Sequence, residues 1–245
     1  MPDTPADVVT VHLWSLTEDV TVEHDEGHDQ VVLKSRWGLD CVDRPGPEVR
    51  EVLRRMELGP VVLANVAEPH VDLTVVLLPV LSRLSHLVVR TLGVEDLRGP
   101  LLSVLPLTPD APLPLVWLPG QRAVRLPRGM VLTMMDSGLS LEADDCPHRV
   151  VLHRTEAALV VAMLAWPVTP DRAKADLPLP LHVTEGILRY LAAAGMAPPV
   201  DDAPRRHHVR RRMSRRCQTS QPASLAMRIA STRLRAFSLV TTVVR

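Results

Sequence analysis

From its N-terminus the chain alternates apolar and polar residues in short runs. "VHLWSL" (Val11–Leu16), "VTVEHD" (Val20–Asp25) and "QVVLKSR" (Gln30–Arg36) carry the two-residue period of a strand, and "DEGHD" supplies turn chemistry before the third. The period then changes. In "RPGPEVREVLRRMEL", Val49, Val52, Leu53 and Met56 recur at helical spacing, Pro47 suits a first helical position, and Gly59-Pro60 ends the run. Leu73–Leu92 predicts a longer helix, broken or kinked at Pro79. "PLLSVLPL" (Pro100–Leu107) predicts a strand.

A stretch with five prolines in sixteen residues, "PLTPDAPLPLVWLPGQ", reads as an extended connection. The opening grammar then returns. "MVLTMM" (Met130–Met135), a turn at "DSG" and "LSLEA" (Leu139–Ala143) predict a hairpin, and "HRVVLH" (His148–His153) a third strand. Helices are expected over Thr155–Trp166, with Thr155 as cap, and over "HVTEGILRYLAAAG", with Thr184 as cap and Gly195 in a left-handed terminal position. The expected class is α+β: two tandem winged-helix-like units, each of three short strands plus two helices. They span residues 10–108 and 125–198, joined by a Pro-rich linker (109–124) and followed by a basic tail (199–245).

Charge sharpens that division. The formal net charge is zero, yet residues 1–200 hold 17 basic and 26 acidic side chains, whereas 201–245 hold 11 arginines and two aspartates. An acidic body thus carries a basic tail, most densely in "PRRHHVRRRMSRRC" (Pro204–Cys217). A nucleic-acid arm would set such arginines beside aromatic platforms, but Phe237 is the tail's only aromatic residue. "LAMRIASTRLRAFSLV" mixes Arg with apolar residues as a membrane-surface helix does. The tail also reads as a frame-shifted remnant, since it is rich in Arg and Ser and has no Lys, Glu or Gly. It is expected to lie unpacked against the body.

Three widely spaced cysteines, Cys41, Cys146 and Cys217, form no CxxC pair, so neither a zinc framework nor a disulfide scaffold is indicated. No secretory signal opens the chain, and the longest apolar run, Val75–Leu81, is far short of the ~20 residues of a membrane span. A cytoplasmic protein without a transmembrane segment is expected.

Several segments, in order, carry a resemblance: "LKSRWGLDCVDRPGPEVREVLRRMELGPVVLANV", "LSHLVVRTLGVEDLRGPLLSVLPL", "RLPRGMVLTMMDSGLSLEADDCPHRVVLH" and "LRYLAAAGM". Over residues 10–198 the chain resembles the N-terminal region of SagB/ThcOx-type dehydrogenases. The resemblance implies a non-catalytic portion of an FMN-dependent enzyme that oxidises azolines to azoles in thiazole/oxazole-modified peptides. It also implies leader-recognition-like winged modules that often serve packing and dimerisation. Implied partners are a precursor peptide, a cyclodehydratase and a second copy of the chain, with no specific nucleic acid. The flavin domain would begin about where the chain turns basic. The 45 residues after Val200 are too few to build it and hold no glycine for a phosphate-cradling loop, so no FMN is expected on this chain.

No catalytic or metal-ligating set is assigned. "HDEGHD" gathers His24 and His28 near Asp25, Glu26 and Asp29, but reads as a solvated hairpin turn. "DDCPH" places Cys146 and His148 near Asp144 and Asp145 without a third orienting group, and reads as a structural loop. Cys41 is expected as a small buried apolar residue. A stand-alone peptide-binding module is the alternative function, with a groove between the strand Arg149–His153 and the helix Val183–Ala194. Its candidate residues are Val150, Leu152, Ile187, Leu188 and Leu191, which a core would equally use. For DNA binding, that helix offers only Arg189, balanced by Glu185.

Overall fold

Trp14 and Arg90 lie side by side on neighbouring strands, and the row they begin crosses an entire sheet. The computed structural model describes residues 9–65, 73–96, 98–113, 118, 120–136 and 138–200. Of the basic tail, residues 201–245 lie outside the described residues, as do parts of the Pro-rich linker. The described residues belong to one compact unit, Met1–Ala203.

Among the described residues nine strands, β1 (Thr10–Leu16), β2 (Thr21–Asp25), β3 (Gln30–Ser35), β4 (Gly38–Asp43), β5 (Val88–Val94), β6 (Leu102–Pro106), β7 (Val131–Met135), β8 (Gly138–Glu142) and β9 (His148–Leu152), accompany five α-helices. These are α1 (Pro47–Leu58), α2 (Leu73–Arg83), α3 (Thr155–Met163), α4 (Pro170–Asp176) and α5 (Leu181–Ala193). A six-stranded antiparallel sheet has the order β1-β5-β6-β9-β8-β7, and β2-β3-β4 form a separate meander. The class is α+β.

Cross-strand partners point to the same side of a sheet, so the register assigns every side chain to a face. One row runs Trp14–Arg90–Val104–Val150–Leu141–Leu132, and the next runs His12–Leu92–Leu102–Leu152–Leu139–Met134. On this side rest two hydrophobic cores. One joins Leu92, Leu102, Val104, Val150 and Leu152 to α3 and α5, and the other joins Trp14, Leu16 and Val88 to α1, α2 and the meander. The opposite side carries the row Leu13–Thr91–Ser103–Val151–Ser140–Thr133, poorer in large apolar groups.

The two sequence segments share this sheet. β6 of the first and β9 of the second pair from Leu102↔Leu152 to Pro106↔His148. The linker joins in as well: Val124 exchanges backbone bonds with Val168 (2.8 and 3.0 Å), and Val200 donates to the Ala123 carbonyl (2.8 Å).

Local chemistry explains most boundaries. α1 starts at Pro47 and buries Val49, Val52, Leu53 and Met56. α2 keeps Pro79 in its interior on the exposed side, while Leu77 and Leu81 are buried. The bond that Pro79 cannot donate would fall to the carbonyl of exposed Val75, where water can take its place. Beyond Arg83 the expected helix does not continue. Val88–Leu92 belongs to strand β5, between β1 and β6, where Val88, Arg90, Thr91 and Leu92 are all buried, so the segment reflects burial on both faces rather than a helical stripe. α4, which the sequence reading did not anticipate, starts at Pro170 after Thr169, whose hydroxyl accepts from the Arg172 N–H (3.3 Å). Thr155 is the first residue of α3 rather than its cap. Thr184 lies inside α5, fully buried, because the helix begins at Leu181 after Pro180. Gly195 does take the expected left-handed conformation (φ 81°).

Candidate functional site

The sequence reading placed a peptide groove on five residues, and the structure buries all five. Val150, Ile187, Leu188 and Leu191 are inaccessible and Leu152 nearly so, within the core beneath α3 and α5. All five belong to one core that also takes in the buried side chains of α3.

The other candidates hold structural positions. Asp25 organises its turn: Oδ1 accepts from the Gly27 and His28 backbone N–H groups (3.0 and 3.2 Å), and Oδ2 sits 2.8 Å from His28 Nδ1. Asp29 there pairs with Arg50. Among the described residues no group of three or more His, Cys, Asp or Glu side chains is arranged to hold a metal ion. Cys146 donates its thiol to the Gly195 carbonyl (3.4 Å), and burial pushes that thiol's pKa up, with Asp145 adding to the effect. His148 Nε2 donates to the Pro112 carbonyl (3.0 Å), and burial lowers its pKa. The two groups are thus held by different backbone carbonyls. Cys41 is exposed, contrary to expectation. On β4 its neighbour Val42 turns inward with Val31 and Leu33, and the strand's alternation sends Cys41 out.

Sequence reasoning missed a polar seam at the sheet. Arg90 is only 4% exposed, with its guanidinium 5.3 Å from the centre of the Tyr190 ring. The Tyr190 hydroxyl donates to the Thr91 carbonyl (3.3 Å) and lies 3.0 Å from His12 Nδ1, whose ring stacks on the phenol at 5.7 Å. Burial raises the phenol to about 12, and burial with nearby Arg189 and Arg90 depresses His12. Both groups are therefore neutral near pH 7, and the seam fastens α5 to β1 and β5. The one available signal was the chain's single tyrosine on an otherwise apolar helix face.

On the opposite side Ser103 Oγ lies 2.9 Å from His153 Nε2 and 2.8 Å from Thr91 Oγ1. The first spacing is that of a nucleophile and its base. However, Thr91 and Ser103 face each other on central strands, whose backbone N–H groups are committed to the ladder. Acyl transfer also needs donors converging on an oxyanion, and the ladder N–H groups beside Ser103 are already engaged. A cleft of about 290 Å³ near Gly120, Asp171, Lys174, Glu185 and Arg189 is edged by ion pairs, Lys174–Asp171 (3.0 Å) and Arg189–Glu185 (2.6 Å). It falls just below the ~300–1,000 Å³ usual for small-molecule sites.

What is left open is the sheet's edge. All five residues of β7 are exposed, including Val131 (57%), Leu132 (53%) and Met134 (80%), although both core-side rows end on this strand. β8 beside it keeps Leu141 fully buried. Edge strands normally carry charge, proline or a bulge against further pairing, and Val131–Met135 contains no charged residue and no proline. Arg128 precedes the strand and Asp136 follows it, both exposed. Among the described residues no helix is long and apolar enough to cross a membrane. No protein-family model matches the chain, and no curated protein is significantly similar to it.

Proposed function

We propose that residues 10–198 form the non-catalytic N-terminal portion of an FMN-dependent azoline dehydrogenase of the SagB/ThcOx type, and that their work is assembly rather than chemistry. The observation that carries this reading is the bare apolar edge β7, a strand built for pairing in a molecule whose candidate reactive groups serve as structural hydrogen bonds. The ordered likeness of "LKSRWGLDCVD", "LSHLVVRTLGVEDL" and "GMVLTMMDSGLSLEADDCPHRVVLH" to that enzyme region supplies the family. In this reading α3, α5 and the hairpin β7–β8 are winged-helix-like, with the hairpin as the wing. A precursor peptide and a cyclodehydratase are the proposed company of the complex, in the cytoplasm.

The test is a flavin titration of the full chain, followed by quenching of FMN fluorescence and by azoline oxidation in air. No saturable flavin binding and no azole product are expected. Saturable FMN binding with turnover overturns the proposal.

A further inference from the structure

We draw no further inference here: the strongest candidate, the exposed apolar edge strand β7 at the end of the six-stranded sheet, carries none, because nothing in the structure shows what covers it.

Discussion

Leu141 and Leu132 are direct cross-strand partners on the same face of the sheet, yet Leu141 is fully buried and Leu132 is 53% exposed. One strand separates core from surface. Leu141→Ala is expected to destabilise the chain by about 2–5 kcal/mol, the range for emptying a packed leucine site. Leu132→Ala should cost under about 1 kcal/mol in the monomer. Urea unfolding of both variants measures the difference. Equal losses would mean that Leu132 is packed in solution as Leu141 is.

Thr184 offers a gain of stability. Its hydroxyl is buried inside α5 with no hydrogen-bond partner. Thr184→Val replaces an unsatisfied oxygen with a methyl group of similar size, and should raise stability by about 1 kcal/mol. A lower urea midpoint for the variant would show that the hydroxyl is satisfied.

Two histidines predict a pH dependence. Burial holds His12 and His148 below the ordinary 6.5, so between their folded values and 6.5 the unfolded chain binds more protons. Their contribution is complete above pH 6.5 and declines as the pH falls below it. Glu156, drawn down to about 2 chiefly by its bond from Arg154, adds a separate loss as the pH falls from 4.5 towards 2. Unfolding curves collected from neutral to acidic pH should show the first decline flattened in His12→Gln and His148→Gln. An unchanged slope in both variants would assign it to other groups.

Gly138 closes the hairpin at φ 134°, and a Cβ there would lie 2.1 Å from the Leu152 carbonyl oxygen. Gly138→Ala must therefore displace β8 from β9 and accept a strained backbone, at a cost of at least about 1–3 kcal/mol. A variant as stable as the wild type, by thermal melting, would contradict this close approach.

Local signals were legible where neighbours in sequence decide the outcome. β1 to β3, α1 behind Pro47, the hairpin β7–β8 and the turn at Gly195 follow from alternation, capping and glycine chemistry. Long-range pairing was not legible. The segment Val88–Leu92, apolar except at Arg90 and Thr91, suits a buried helix or a doubly covered strand equally, and only its place between β1 and β6 decides. The same limit governs the candidate site. Val150 and Leu191 look alike as groove or core in one dimension, and in the structure both are buried in one core with α3. β7 was expected as a strand, but that it stands at an edge depends on β8 pairing with β9, two strands whose register no local pattern states.

The β6–β9 ladder makes the proline-rich linker a poor place to divide the molecule. Cleavage in that linker would leave two fragments, each with an unpaired strand from the broken ladder, and would divide the core that Leu92, Leu102 and Val104 share with α3 and α5. Neither half could hide that strand by itself, and each would be the other's best-matched complement. Such halves, produced separately, would reassemble on mixing, so the fold lends itself to a two-piece reporter whose signal depends on the halves meeting.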